Sequence, residues 1–400
     1  MILACNHIFK SFGETTILKD ASFHINEGER VAMVGINGAG KTTMLRIIMG
    51  EYDADEGEVI HGKNTTIGYL PQQQGYHSDL SIYEELLAVK KDVIDLDRQI
   101  RQLEEKMSSL SGPELEQTLN QYHRLQTTFE NGDGYTYKSK VLGVINGLGF
   151  GGEAMHQCIN HLSGGQKTRV ALGKLLLTEP DLLILDEPTN HLDMESIQWL
   201  ETYLINYKGS VLVVSHDRYF LDRIVTRVIE IQDGKAEFYS GNYSFYAVEK
   251  ERRFQERMKQ YEKEQAKIQQ LEKAAEQLHL WAFMGNDALH KRAFSMEKRI
   301  ERMRTASKPT KAKKMDARFN AAEFHGDEVL GLRNLSKSYG DKHLFQGISL
   351  KIEGGERIAL IGDNGTGKST LLQVLDGKRR PSGGMVRLGT GAQPGIFVQQ

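Results

Sequence analysis

The chain is expected to be an α/β protein: a domain built on a mostly parallel sheet around a phosphate-binding loop, then a helical hairpin, then the beginning of a second copy of that domain. Three observations predict this. The pattern Gly-x4-Gly-Lys-Ser/Thr occurs twice, at Gly35 to Thr42 and at Gly362 to Ser369, each after a short apolar run with the character of a buried strand. The two loops stand 327 residues apart, and that offset holds without a gap from Phe12/Tyr339 through Glu29/Glu356 and Arg30/Arg357 to Gln72/Gln399, so the chain is a tandem duplication. Between the copies, Phe254, Met258, Tyr261, Ile268, Leu271, Ala275 and Leu278 step at helical spacing, and Leu289, Ala293, Met296, Ile300 and Met303 repeat the pattern.

Bulk properties narrow the class. At 400 residues and 39% hydrophobic the chain holds enough apolar surface for more than one core, since single cores stop growing at roughly 250–300 residues. Cys5 and Cys158 lie far apart without Cys or His at metal spacing, which supports neither a disulfide framework nor a zinc site and fits a reducing cytoplasm. The start lacks the basic cap and apolar core of a signal peptide, and no apolar run approaches the roughly 18 residues of a membrane span. We therefore expect a soluble, cytoplasmic protein. The net charge of −2 conceals segregation: residues 249–318 hold 19 Lys/Arg against 11 Asp/Glu, an element suited to a polyanion.

Within the first copy, glycines let successive backbone N–H groups converge on phosphate oxygens, and the following helix presents its N-terminus to the anion. Lys41 is placed to reach the β and γ phosphates, and the Thr42 hydroxyl to bind Mg²⁺. From about Ile94 to Phe129, Leu96, Ile100, Leu103, Met107 and Leu110 again keep helical spacing, and Gly112-Pro113 breaks this insertion into two helices. Leu182 to Leu185 has the character of a central strand buried on both faces, with Asp186 at its carboxyl end to hold metal-bound water. Glu187 follows, placed to orient or deprotonate the water that attacks the γ phosphate. Val211 to Val214 predicts a third strand that delivers Ser215-His216-Asp217 to the same edge, where His216 can contact the γ phosphate. Between the copies, Gly285, Asn286 and Asp287 interrupt the helical seam over residues 279–288, predicting two antiparallel helices joined by a tip. A basic linker containing Pro309 follows at 306–314.

These elements, in this order and with Leu162-Ser163-Gly164-Gly165-Gln166 some twenty residues before Asp186, resemble an ATP-binding cassette of the P-loop NTPase class. The fold implied is a cassette with a helical arm insertion, an α-helical hairpin linker and a partial second cassette: 1–245 with the arm at about 90–135, 246–326, and 327–400. The resemblance implies ATP and Mg²⁺ as ligands. Phe12 and Tyr339 resemble the aromatic that stacks on adenine. Gly35, Asn37, Gly38, Ala39, Gly40, Lys41, Thr42 and Thr43 would form the first phosphate site, and Gly362, Asn364, Gly365, Thr366, Gly367, Lys368, Ser369 and Thr370 the second. Gln72 resembles the glutamine that couples magnesium to conformational change, with Gln399 its counterpart. Magnesium contacts would come from Thr42, Gln72, Asp186 and Ser369, and catalysis from Glu187, His216 and Gln72. Ser163, Gly164, Gly165 and Gln166 resemble the signature that meets the γ phosphate of an opposing cassette.

Glu187-Pro188-Thr189-Asn190-His191-Leu192-Asp193, the tandem copies and the charged hairpin resemble the ABC-F family over essentially the whole chain. That family implies ATPases that insert the hairpin near the peptidyl-tRNA and peptidyl-transferase centre of the ribosome, either as translation factors or as antibiotic-resistance ribosome-protection proteins. A transporter ATPase subunit would leave the basic hairpin unexplained. Residues 291–318 carry 11 Lys/Arg and 3 Asp/Glu, and Trp281 and Phe283 at the tip could stack on exposed bases of rRNA or tRNA; charge alone fits a solvated spacer equally well. Adding 327 to Ser163 and Glu187 points to about positions 490 and 514, beyond Gln400, so we expect a second copy without signature or acidic pair. Such a copy would leave apolar faces of its sheet uncovered. It also predicts ATP binding with weak or concentration-dependent hydrolysis, unless first cassettes from separate chains pair head to tail.

Overall fold

The structure, a computed structural model, describes residues 1–70, 78–190, 192–282, 287–303, 328–340, 342–362, 365–389, 392 and 394–396. The expectations for Gln72, Asn364, Gln399, the Phe283 tip and the basic segment 304–318 therefore lie outside the described residues, as does the side chain of Trp281.

Two compact units emerge from the packing: Met1–Gln72 with Glu179–Pro188 and Tyr203–Met315, and Gln73–Thr178 with Thr189–Thr202 and Asp316–Gln400. The first unit begins with β1 (Leu3–Phe12) and β2 (Thr15–Ile25), an antiparallel pair that β4 (Glu56–His61) extends. Between them come β3 (Arg30–Val34) and α1 (Lys41–Ile48), and after them β5 (Ile67–Leu70).

In the second unit, α2 (Ile82–Leu87) opens on a capping box, the Ser81 hydroxyl accepting from the Glu84 N–H while the Glu84 carboxylate accepts from Ser81 N–H. The arm is α3 (Lys91–Met107) and α4 (Pro113–Asn131), broken where expected: Gly112 takes φ +68°, and Pro113 supplies the first turn of α4, where its missing N–H costs nothing. Ile100, Leu103 and Phe129 are buried, and the Tyr122 hydroxyl donates to Glu104 across the pair at 3.1 Å. α5 (Tyr137–Gly147) and α6 (Gly164–Thr178) follow. Gly173 on α6 is crowded by Leu86, Val144 and Leu148, so close helix approach there requires the missing side chain.

The chain then supplies β6 (Leu182–Asp186), α7 (Met194–Ile205), β7 (Ser210–Val214), α8 (Arg218–Ile224), β8 (Arg227–Gln232) and β9 (Lys235–Tyr239). One six-stranded sheet of the first unit runs β5-β6-β7-β3-β8-β9, parallel except for the β8–β9 hairpin. Leu182 to Leu185 have no solvent exposure, as expected of a strand covered on both faces. At about 1.5–3 kcal/mol per buried aliphatic side chain, these four alone stabilise the sheet centre substantially.

From the same unit extend α9 (Tyr243–Ala282) and α10 (Asp287–Met303). The seam residues Phe254, Met258, Tyr261, Ile268, Leu271, Ala275, Leu278, Ala293, Met296, Ile300 and Met303 are buried or half-buried, with Ile268, Ala275, Ala293 and Ile300 below 7% exposure. The helices persist closer to the tip than the seam suggests, since α9 continues through Ala282 and α10 resumes at Asp287.

The second copy repeats the first at the same offset of 327 in β10 (Leu330–Tyr339), β11 (Lys342–Ile352), α11 (Lys368–Leu375) and β12 (Gly383–Leu388). Its small core holds Leu332, Leu335, Leu371 and Val374. One expectation fails here. The apolar run before the second loop, Arg357 to Ile361, forms no strand and is exposed, Ile361 by 83%. In the first copy the matching strand β3 is held between β7 and β8, both supplied after residue 209; no described segment plays that part for residues 357–361. A strand with neither neighbour keeps its backbone groups in water.

Candidate functional site

The first phosphate loop leaves β3 at Val34, whose Cα pairs with Glu230 of β8. Gly35 passes so close to this neighbour that a Cβ would stand 2.6 Å from the Ile231 carbonyl oxygen. Gly38 and Gly40 take φ +81° and +99°, left-handed conformations strained for other residues, and a Cβ on Gly40 would meet Ile17 at 2.7 Å. The turn brings the exposed Asn37 and half-buried Ala39 over the start of α1. Gly40 caps that helix without a side-chain acceptor, so its first donors are left for an anion. Thr42 is exposed and Thr43 half-buried on the first turn. The Lys41 ammonium donates to the carbonyls of Gly35 at 2.8 Å and Ile36 at 3.2 Å. Burial pulls its pKa below the usual lysine value, and the carboxylates of Glu187 and Asp186 work against that pull.

Asp186, 4% exposed, ends β6 opposite Val214 of β7. Burial first, and then Glu187, pushes its carboxyl above the ordinary range, while Lys41, Arg46 and His216 pull it down. Glu187 sits at φ +52°, an uncommon conformation for a residue with a Cβ, fixed by donation from its N–H to the Val214 carbonyl at 2.8 Å. Its carboxylate accepts from the His216 backbone N–H at 3.3 Å and lies 3.7 Å from the His216 Nε2. Asp217 accepts from the N–H groups of Tyr219 and Phe220, capping α8 and holding the segment that carries His216. Lys41, Asp186, Glu187 and His216, drawn from three separated stretches, thus share one electrostatic neighbourhood.

The donor set fits a divalent cation. Two adjacent carboxylates, one of them buried with a raised pKa, leave an acidic excess beside a single half-buried ammonium, and an exposed threonine hydroxyl stands next to that lysine. Among the described residues no cluster of three or more acidic, His or Cys side chains forms a closed metal cage, which suits a cation that shares its shell with phosphate oxygens and water.

Phe12 ends β1 with 46% exposure, its ring T-shaped to Tyr52 at 5.7 Å and with the Lys10 ammonium 5.7 Å from its centre. Tyr339 ends β10 in the same way, 41% exposed, with Lys337 and Arg379 about its ring. In the other unit, Ser163 caps α6: Gln166 N–H donates to its hydroxyl at 3.3 Å, Ser163 N–H donates to the Gln166 side-chain oxygen at 2.9 Å, and Gly164 borders open space where a Cβ would point. The second loop repeats the first glycine by glycine, with φ +157°, +85° and +98° at Gly362, Gly365 and Gly367, and Lys368 donates to the Gly362 carbonyl at 2.5 Å. Thr366 and Ser369 are exposed and Thr370 is half-buried.

Sequence reasoning missed Arg169. On α6, and 9% exposed, it stacks its guanidinium 4.9 Å from the Phe150 ring centre, donates to the Leu148 carbonyl and faces Asp193 at 3.8 Å. An arginine five residues after Gly164, the first residue of α6, gave no signal by itself. Also missed was a cavity of about 480 Å³ in which Lys41, Asn37 and His216 face Arg218, Tyr243 and Lys250. Nothing in the spacing of the α9 residues tied them to the phosphate loop.

Comparison with known proteins gives consistent relatives. A family model described as ABC transporter matches residues 18–190 and 345–394, and a second of the same description matches 229–319. The chain is similar over its whole length to "Putative ATP-binding protein YdiF" of Bacillus subtilis (strain 168), 42% identical and covering 62% of that protein. It is 36% identical to "ABC transporter F family member 2" of Arabidopsis thaliana, over 98% of this chain and 58% of that one. It is 32% identical to "Uncharacterized ABC transporter ATP-binding protein YfmM" of Bacillus subtilis (strain 168), over 100% of this chain and 76% of that one. The chain thus spans about three fifths of the length of the first two. Among the described residues no helix is long and apolar enough to cross a membrane.

Proposed function

This chain belongs to the ATP-binding cassette family and to its ABC-F branch, and from that premise we propose that it binds and hydrolyses ATP in the cytoplasm to control the action of its basic hairpin on the ribosome. The observation that carries the reading is that Lys41, Asp186, Glu187 and His216 converge in the same compact unit from which α9 and α10 extend.

In this reading Lys41 exchanges its carbonyl partners for the β and γ phosphates, while the N–H groups from Asn37 to Thr43 hold the remaining oxygens. The exposed Phe12 ring stacks on the adenine. Thr42 and Asp186, with Gln72, would hold Mg²⁺, which when bound neutralises charge on the phosphates. Glu187 orients the attacking water and receives its proton, and His216 steadies the Glu187 carboxylate and the γ phosphate. Ser163 to Gln166 serve as the surface that meets nucleotide on an opposing cassette, and closure is a population shift toward the form making those contacts. Lys368, Ser369 and their loop form the phosphate site of the second copy, with Tyr339 as its adenine platform.

The hairpin meets rRNA and tRNA through residues 246–318, whose Lys and Arg displace counterions from phosphates, so affinity falls steeply with salt. Sedimentation with ribosomes and with membranes tests the whole. ATP should retain the chain on ribosomes, Glu187→Gln should prolong that retention, and raised salt should abolish it. Co-sedimentation with membranes in place of ribosomes would show the transporter-subunit reading to be right instead. Whether the action supports translation or protects against an antibiotic is decided by drug resistance of cells expressing the protein.

A further inference from the structure

The root of the hairpin and the mouth of the phosphate loop share a buried carboxylate. Glu230, 3% exposed on β8, accepts from the Tyr246 hydroxyl at 3.0 Å and from the Lys250 ammonium, both on α9, and shares the single Tyr239 hydroxyl proton, at 3.3 Å, with Glu237 at 3.1 Å. The Glu230 Cα pairs with Val34, the last residue before the loop, and the next carbonyl along, Ile231 O, is the one against which Gly35 packs. Tyr246 and Lys250 also line the cavity that holds Lys41 and Asn37. A carboxylate this deep depends on its partners staying in place, because among the described residues that ion pair and those hydroxyls offset its desolvation. Any rotation of α9 about its root must therefore either move β8 or break the cluster.

We infer that Glu230, Tyr246 and Lys250 are positioning residues that couple the orientation of α9 to the phosphate loop, so that nucleotide at Lys41 and the state of the hairpin root influence one another through β8. The inference rests on the nucleotide reading above and adds its route to the hairpin. Coupling of this kind is reciprocal: if the cluster alters ATP affinity, ATP must alter the cluster.

The test uses the chain as it stands, with ATP and magnesium as probe. Lys250→Met should weaken ATP binding by about five-fold or more, the lower end of ordinary coupling. Tyr246→Phe should act in the same direction. The double variant Glu230→Gln/Lys250→Met removes the unpaired buried charge and should recover thermal stability without recovering affinity. ATP should also slow amide exchange in the first turns of α9 in the unsubstituted chain and not in the variants. Affinity that returns together with stability in the double variant would reduce the cluster to a structural support and overturn the inference, as would ATP binding that leaves α9 exchange unchanged. Absence of ATP binding by the unsubstituted chain would remove the nucleotide reading and this inference together.

Discussion

Lys41→Ala isolates what the first loop contributes to nucleotide binding. Without nucleotide the ammonium is engaged by two neutral carbonyl oxygens, at 2.8 and 3.2 Å. In the proposed reading, binding would replace these with phosphate oxygens, which carry charge of their own. Hydrogen bonds with a charged partner contribute about 1.5–3 kcal/mol against about 0.5–1.5 kcal/mol for neutral pairs, so making the acceptors charged as well adds about 1 kcal/mol per contact. Two contacts give about 2 kcal/mol, or about 30-fold in Kd. Burial of Lys41 raises the figure, because screening by water is weaker there, and the neighbouring Asp186 and Glu187 lower it by competing for the ammonium. Titration calorimetry with ATP and magnesium reads the change directly. Lys368→Ala is the internal control: its loop follows an exposed run that pairs with no described strand, so loss of Lys368 should change ATP binding by the chain far less than loss of Lys41. Binding by Lys41→Ala within about three-fold of the unsubstituted chain would refute the placement of phosphate on Lys41.

Asp186→Asn should raise the melting temperature without nucleotide. Since the folded pKa of Asp186 lies above its ordinary value of 3.8, its favourable contribution is complete below that value and is lost as pH rises through the folded value. The advantage of Asn should accordingly be absent in acid and full at neutral pH, as melts across that range would read. Gly147→Ala sets a Cβ about 2.0 Å from the Trp199 ring, and should destabilise the helical unit by about 1–3 kcal/mol in urea titration. Ile300→Ala removes a seam residue 6% exposed and should cost the hairpin about 2–5 kcal/mol, seen as faster amide exchange along α9 and α10 with the phosphate-loop sheet unaffected.

The loops, the acidic strand end and the hairpin were legible because each is written locally. Glycines at the same three positions produce the same three positive φ angles in both copies, even though residues 357–361, directly before the second loop, form no strand. Gly112-Pro113 broke the arm where sequence required, and the apolar spacing of α9 and α10 marked their buried seam residue by residue. Three-dimensional packing decided the rest. Residues 30–34 and 357–361 are similarly apolar, yet only the first run is a strand, because a central parallel strand exists through neighbours that lie some 180 residues further along. The left-handed Glu187, the Arg169–Phe150–Asp193 contact and the Glu230 cluster likewise arise where distant segments meet. Backbone angles and helical periodicity follow from nearest neighbours in the chain, whereas burial of a charge or pairing of a strand depends on partners that sequence spacing does not specify.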